Sequence, residues 1–225
     1  MSDDRNEGLR TRRLVFWHEI RSPAATLQTL LEVLGDGLAG QLPEAARDLI
    51  DRARRQAARV TEMITSAHDL ERLLAGRLPF SDEPIDLREA LRAALKSIET
   101  AAAQKKVVVE LREGATMHTQ ADPAQVARCL LALARAALEC SHRDSSLIAE
   151  ASRIDGGTSI TVHVEALAKA DALADALEPT CSLGLREGNG IGLYEARLFV
   201  EAMGGKARVV VAGERATLEL WFASR

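Results

Sequence analysis

The residue of this chain best suited to covalent chemistry is His18, which stands in the run FWHEIRSP from Phe16 to Pro23. At about 100° per residue, the apolar residues around it form one stripe along a helix, and His18 projects from the opposite side. That stripe comprises Phe16, Ile20, Ala24, Leu27, Leu31, Leu34 and Leu38. A histidine that packs in a core or binds a buried metal would lie in the stripe, whereas an exposed imidazole is a good nitrogen nucleophile near neutral pH. His18 is therefore a candidate nucleophile, and the alternative is a solvated surface side chain.

The residues that flank His18 carry a family resemblance. The run from Phe16 to Pro23 resembles the H-box of two-component sensor histidine kinases, whose pattern is His-Glu-x-Arg-(Thr/Asn/Ser)-Pro. The resemblance implies that His18 accepts a phosphoryl group, that Glu19 orients or deprotonates its imidazole, and that Arg21 lies near the phosphoryl charge. Ser22 occupies the position from which the family's phosphatases align a hydrolytic water, mostly with threonine or asparagine. For Glu19 and Arg21 the alternative is a solvated helix face.

Composition limits the classes of function. The chain has 225 residues, of which 47% are hydrophobic and 28% charged, with a formal net charge of −4. These values are typical of a soluble globular protein of one or two domains, whereas a general nucleic-acid binder would be basic. No apolar run approaches the roughly 20 residues that span a bilayer, and the N-terminus lacks the apolar segment of a signal peptide. The 3 cysteines form no Cys-x-x-Cys pair. We therefore expect a cytoplasmic protein with no membrane or nucleic-acid partner and no metal site, which receives its signal through another protein.

Two long helices are expected to position His18. The first runs from about Leu9 to Leu38 and the second from about Pro43 to Leu74, with a Gly40-containing turn between them. The second helix has a coiled-coil-like seam formed by Ala53, Ala57, Val60, Ile64, Ala67 and Leu74. A hairpin of two such helices cannot bury both apolar faces alone, and two hairpins make a four-helix bundle. Residues 1–77 are therefore predicted to form a homodimer, similar to the dimerisation and histidine-phosphotransfer domain of the kinases. The alternative is a hairpin packed on its own C-terminal domain.

Residues 78–225 alternate helices and strands, which predicts a layered α/β sandwich and an α+β chain overall. The helices are predicted at about Asp86 to Gln104, Asp122 to Cys140 and Tyr194 to Met203. The strands are predicted at about Val107 to Leu111, Met117 to Thr119, Leu147 to Ile154, Thr158 to Val164, Arg208 to Val211 and Ala216 to Phe222, with a linker or short strand pair at Arg77 to Pro84. This order resembles the catalytic, ATP-binding domain of histidine kinases.

The nucleotide site that this resemblance implies lacks several of its parts. Ala132 and Ala136 stand where the family places asparagines that hold Mg²⁺ and phosphate, and alanine offers no oxygen ligand. The family's Asp-x-Gly-x-Gly run is replaced by Glu165 to Ala168, and its phenylalanine-bearing lid motif is absent. An alanine-rich helix from about Ala168 to Leu177 is expected to fill the region where ATP would lie.

One part of the nucleotide site remains in the sequence. The run GNGIGL, which contains Gly188, Gly190 and Gly192, resembles the family's second glycine box, in which backbone amides approach phosphates. We interpret it as a vestigial loop-to-helix turn, and the alternative is a working phosphate cradle.

A phospho-accepting histidine beside a defective ATP site is similar to the dimeric histidine phosphotransferases of the ChpT-like type. The resemblance implies a chain that binds no cofactor. It would take a phosphoryl group from the receiver domain of an upstream hybrid kinase or response regulator, with Mg²⁺ held by the receiver. It would then pass the group to a downstream response regulator. Two alternatives remain open: a divergent ATP-dependent histidine kinase, and a binding-only pseudokinase or phosphatase for a response regulator.

Overall fold

The computed structural model describes residues 20–154, 156–168, 173, 175, 177–178 and 192–223. They divide into two compact units, with the boundary between Gly76 and Arg77. None of the helices in these ranges combines the length and the hydropathy that a bilayer-spanning segment requires.

The first unit is the helical hairpin. Helix α1 covers residues 20–35 of the described chain, and α2 covers Glu44–Leu74. The first helix ends about three residues before the predicted Leu38, because Gly37 adopts a left-handed conformation (φ 73°) and the Leu38 N–H turns back to the Val33 carbonyl. Residues 36 and 54 form one contact between the helices and residues 21 and 65 form another, so the chain direction reverses. The predicted antiparallel hairpin is confirmed.

The second unit holds three described helices and seven strands. The helices are α3 (Leu87–Lys105), α4 (Pro123–Cys140) and α5 (Leu193–Ala202). The strands are β1 (Glu83–Asp86), β2 (Val108–Leu111), β3 (His118–Ala121), β4 (Ser146–Ile154), β5 (Gly157–Val164), β6 (Lys206–Ala212) and β7 (Arg215–Ala223). The helices and strands that the sequence predicts from about Asp86 to Val164 and from Tyr194 to Phe222 are present, within a few residues at their ends.

The main sheet has the strand order β2-β4-β5-β7-β6. The β2–β4 pair is parallel and the other three pairs are antiparallel. Two turns join antiparallel neighbours: one contains Gly156 (φ 73°) between β4 and β5, and the other contains Gly213 (φ 62°) between β6 and β7. Strands β1 and β3 form a separate antiparallel pair, so the segment predicted as a linker or short strand pair ends in a strand.

The core of the second unit lies between one face of this sheet and the helices. Successive strand residues point to opposite faces, so burial alternates along β7 and along residues 160–164 of β5, whereas residues 157–160 are all buried. The buried set includes Ile160, Val162, Val164, Leu218, Leu220 and Phe222 from these strands, Leu87, Leu91 and Ile98 from α3, Leu130 and Leu133 from α4, and Phe199 from α5. This arrangement is the layered α/β sandwich that the sequence predicts.

Aspartate side chains define where α3 and α4 begin. Asp86 Oδ1 accepts the N–H groups of Arg88 at 2.9 Å and Met117 at 3.1 Å, and Asp122 Oδ1 accepts the Gln125 N–H at 3.0 Å. Capping oxygens of this kind satisfy amides that the first turn of a helix leaves without partners. The two aspartates therefore set the entry points of the helices that cover the sheet.

Candidate functional site

The predicted site residues fall partly outside the described chain. His18, Glu19, Gly188 and Gly190 lie outside the described residues. Arg21, Ser22 and Gly192 lie inside them, as do the positions of the missing nucleotide-holding residues. The roles of these residues therefore stay predictions, and the geometry below concerns the part that the structure describes.

Arg21 lies on the exposed side of α1 and reaches the other helix of the hairpin. Its Nη2 donates a hydrogen bond to Oγ1 of Thr65 at 3.2 Å. The Thr65 hydroxyl in turn donates to the Thr61 carbonyl at 3.0 Å, one turn earlier in α2. The Arg21 side chain is exposed to solvent. The predicted phosphoryl-facing cation is thus fixed at one point to α2, and sequence analysis missed Thr65 as its partner.

Ser22 follows Arg21 and points its side chain to solvent. Its backbone carbonyl accepts a hydrogen bond from the Thr26 hydroxyl at 3.0 Å. The helix continues through Pro23 without a break in its assignment. An exposed hydroxyl at this position is accessible to water, which is compatible with the water-aligning role that the resemblance suggests for Ser22.

The opposite end of the hairpin carries a second contact between its helices. Arg54 Nη1 forms an ion pair with Asp36 Oδ1 at 3.2 Å. A Cβ at Gly35 would collide with Nη1 of Arg54, so glycine at this position leaves room for the guanidinium. The two contacts together set the register of the two helices along most of the described length of α1.

The first candidate nucleotide position lies on α4. Ala132 is 2% exposed and Ala136 is fully buried. An asparagine in either place would have to bury a polar amide among apolar neighbours, which costs free energy unless it finds hydrogen-bond partners. No cluster of three metal-binding side chains occurs in the described part of the chain. Ala132 and Ala136 themselves therefore offer no oxygen ligand to a hydrated Mg²⁺ ion.

The second candidate position follows β5. Glu165 Oε2 forms an ion pair with Arg215 Nε at 3.5 Å, so its carboxylate already has a partner in the chain. The next residues run back along the end of α4: the His142 N–H donates to the Ala166 carbonyl at 2.8 Å, and the Ala168 N–H donates to the Cys140 carbonyl at 2.7 Å. Residues 165–168 are thus held by backbone hydrogen bonds within the protein.

Two leucines in and after this segment are buried. Leu167 is 8% exposed, and its N–H donates to the Glu214 carbonyl at 2.8 Å. Leu173 is fully buried. The predicted alanine-rich helix from Ala168 to Leu177 falls almost wholly outside the described residues, so it stays a prediction.

The third candidate position is the start of α5. Gly192 is buried and is the N-cap of this helix, and its N–H donates to Glu195 Oε2 at 2.9 Å. A helix N-terminus favours negative charge, and here the carboxylate of Glu195 supplies it. A phosphate group that approached the Gly192 amide would therefore compete with a carboxylate from the protein itself.

Comparison with known proteins agrees with both units. Residues 17–76 match the model of the His Kinase A (phospho-acceptor) domain. Full-length ShkA, solved in complex with AMPPNP, has a TM-score of 0.73 and 22% sequence identity over 95% of this chain and 46% of that chain. Histidine kinase AdeS of Acinetobacter baumannii has a TM-score of 0.62 and 20% identity over 92% of this chain and 98% of that chain. The chain is histidine-kinase-like.

Further comparisons extend this result to the second unit of the histidine-kinase-like chain. The catalytic domain of histidine kinase ThkA has a TM-score of 0.54 and 14% identity over 65% of this chain and 96% of that chain. The chain spans less than half the length of ShkA, at 46%. The search of curated proteins found no match to the sequence. The predicted resemblance to two-component histidine kinases is confirmed, and the predicted fold is confirmed with it.

Proposed function

We propose that this histidine-kinase-like chain is a histidine phosphotransferase of a two-component phosphorelay. His18 accepts a phosphoryl group from the aspartate of one receiver domain and passes it to the aspartate of a second receiver domain. The observation that carries the proposal is the burial of Ala132 (2% exposed) and Ala136 (0%) where the resemblance expects metal-holding amides. A phospho-acceptor domain that cannot hold Mg²⁺ and a triphosphate beside it needs another phosphoryl donor.

The transfer is balanced without a cofactor in this chain. The lone pair of a His18 imidazole nitrogen forms a bond to phosphorus while the bond between phosphorus and the donor aspartate breaks, and that carboxylate keeps the electron pair. In the second step the acceptor aspartate attacks the same phosphorus, and the imidazole recovers its lone pair. Most of the catalysis in such a transfer comes from positioning and charge neutralisation. The receiver brings Mg²⁺, and the exposed Arg21 contributes a further positive charge.

A homodimer formed through the hairpin belongs to this proposal. Leu27, Leu30, Val60 and Met63 are 52%, 56%, 49% and 51% exposed, although each is large and apolar. They occur as pairs three residues apart, and a pair at this spacing shares one side of its helix. Large apolar side chains that are exposed in such pairs indicate an interaction site. A second copy of the hairpin would cover it in a four-helix bundle.

An ATP-dependent histidine kinase is the second candidate. Its support is the likeness to ShkA, a protein that was solved with AMPPNP bound. The engaged Glu165 carboxylate and the carboxylate cap on Gly192 count against it, because both groups already have partners in the chain.

The test is a labelling experiment with two donors. The full-length protein is incubated with radiolabelled ATP and Mg²⁺, and separately with receiver domains that have been labelled with radioactive acetyl phosphate. We expect label on the chain only from a phosphorylated receiver, and its onward passage to a second, unlabelled receiver. The His18→Gln variant should accept no label, whereas His142→Gln, which changes an exposed imidazole in the other unit, should behave like the unchanged protein. Labelling of His18 from ATP would establish the kinase instead.

A further inference from the structure

In the hydrogen bond between Arg21 and Thr65, the neighbouring hydrogen bonds determine that Arg21 donates and Thr65 accepts. The Thr65 hydroxyl has one proton, and that proton is donated to the Thr61 carbonyl at 3.0 Å. The oxygen lone pairs remain free, and one of them accepts the Arg21 Nη2–H at 3.2 Å. Donation by the hydroxyl polarises its oxygen, which strengthens the bond that it accepts. Thr65 is therefore built into α2 as an acceptor for a cation from α1.

We propose that Thr65 is a positioning residue that holds the guanidinium of Arg21 ready for the phosphoryl group at His18. The inference rests on the proposed function, and it adds a residue to which the sequence pattern assigns no role. The residues concerned are 44 positions apart and belong to opposite helices of the hairpin. Thr65 does not touch the reacting atoms in this proposal and acts only through Arg21.

The geometry leaves Arg21 able to serve a ligand. A guanidinium has five N–H donors, and in the described part of the chain one of them, on Nη2, is engaged by Thr65. The remaining donors are available to the oxygens of a phosphoryl group, which arginine binds with two parallel hydrogen bonds. An exposed arginine otherwise samples many rotamers, and fixing one point of the guanidinium reduces the entropy lost when the phosphoryl group arrives. Thr65 therefore pre-organises the cation without neutralising it.

The hydrogen bond between Thr65 and Arg21 affects the step in which the phosphoryl group moves from the receiver to His18. As the bond from phosphorus to the donor carboxylate breaks and the bond to the His18 nitrogen forms, negative charge is spread over the three equatorial phosphoryl oxygens. Arg21 held in place stabilises that charge. Loss of the Thr65 hydroxyl leaves the cation present but free to rotate, so the transfer step slows while docking of the receiver is unaffected.

The test uses single-turnover transfer from a receiver labelled with radioactive acetyl phosphate to the full-length chain, over a range of receiver concentrations. Thr65→Val keeps the shape of the side chain and removes its hydroxyl. We expect the maximal transfer rate to fall about twofold to tenfold, the size of effect typical for one hydrogen bond, with half-saturation at the same receiver concentration. Thr65→Ser should restore the rate, because it returns the accepting oxygen.

A matched control and a double variant separate positioning from stability. Thr61 makes the same kind of hydroxyl contact one turn earlier, donating to the Ala57 carbonyl at 3.0 Å, so Thr61→Val should transfer at the unchanged rate. In an Arg21→Ala background, Thr65→Val should have no further effect, because its role passes through the arginine. An additive loss in the double variant, or an unchanged rate in Thr65→Val, would overturn the inference. Absence of transfer in the unchanged protein would instead overturn the proposed function.

Discussion

Single residues on the two units have opposite relations to phosphoryl chemistry. On the hairpin, Arg21 is exposed, and among the described residues only Thr65 accepts a hydrogen bond from its guanidinium. On the second unit, the positions that would hold a nucleotide carry buried methyl groups at Ala132 and Ala136 or a polar group that is already engaged. A cation with hydrogen-bond donors is thus exposed on the hairpin, where the proposed receiver would dock. The positions that would hold ATP carry either methyl groups or a polar group that already has a partner in the chain.

The residue-scale prediction is that the chain does not bind ATP with useful affinity. Each buried polar contact that is lost costs about 1–3 kcal/mol, so the two absent amides alone remove roughly 2–6 kcal/mol if their effects add. A loss of that size weakens a micromolar complex by a factor between about thirty and several tens of thousands. Calorimetric titration with AMPPNP and Mg²⁺ should therefore give a dissociation constant no tighter than about 30 μM. An active histidine kinase titrated in the same buffer serves as the positive control, and micromolar binding by this chain would contradict the prediction.

An aspartate side chain caps the start of α3 in the second unit. Asp86 closes β1 and opens α3, and it accepts N–H groups from both the helix and Met117, which lies just before β3. Burial works to raise the pKa of Asp86, but the backbone N–H groups of Met117, Arg88 and Glu89 outweigh it and hold the pKa below its ordinary value. The ionised carboxylate is thus favoured by folding, and it joins two segments that are distant in sequence.

The element-scale prediction concerns this cap. Asp86→Ala should lower the free energy of unfolding by about 0.5–2 kcal/mol near neutral pH, the range measured for helix N-caps. The folded pKa lies below the ordinary value of 3.8, so the contribution is complete above that pH and is lost as the pH falls through the folded pKa. Urea unfolding at pH 7 and pH 3 should therefore give a smaller difference between the two proteins in acid.

The control for this prediction is Glu99→Ala, which removes an exposed carboxylate from the same helix α3. It should change stability little at either pH, since no cap is lost. An equal effect of both variants, or a difference that grows in acid, would show that the Asp86 carboxylate does not cap the helix in solution.

At the scale of the whole molecule, the exposed apolar residues of the hairpin predict association. Ile64 is only 7% exposed, so a charge there would disturb the packing of one chain as well as any interface. Val60 and Met63 are about half exposed, at 49% and 51%, so glutamate at these positions can be solvated in an isolated chain. Substitution of these two residues therefore separates dissociation from unfolding.

We expect light scattering of the full-length protein to give twice the 24.3 kDa of one chain at micromolar concentration. The Val60→Glu, Met63→Glu double variant should give the mass of one chain with an unchanged helical circular dichroism spectrum. Val210→Glu, which makes the same change at a valine 40% exposed on β6, should remain dimeric. A single-chain mass for the unchanged protein, or a dimeric double variant, would contradict the model.

Much of the fold could be predicted because its signals are local. The turn residues Asp155, Gly156 and Gly157 predict the hairpin of β4 and β5. In β7, buried residues alternate with less buried ones along the strand. Asp122 followed by Pro123 predicts the start of α4. The aspartate accepts amide N–H groups of the first turn, and proline has no N–H that would need a partner at the first helical position. The periodic apolar stripe and the glycine-containing turn predict the hairpin in the same way. Each of these elements depends on neighbours within a few residues.

The candidate site is less accessible to such reasoning. The H-box run from Phe16 to Pro23 is enough by itself to propose His18 as the nucleophile and Arg21 as its cation. Nothing within a few residues of Thr65 indicates that its hydroxyl faces Arg21 across the hairpin, since the contact depends on the register of two helices. The pairing of β1 with β3 and the backbone bonds of residues 165–168 to the end of α4 are of the same kind. The amino-acid order thus determined which elements form, through short-range periodicity and capping, and it supplied the candidate reactive residues. Only the tertiary structure decided which distant polar groups meet, because a hydrogen bond depends on a distance in space that local sequence does not encode.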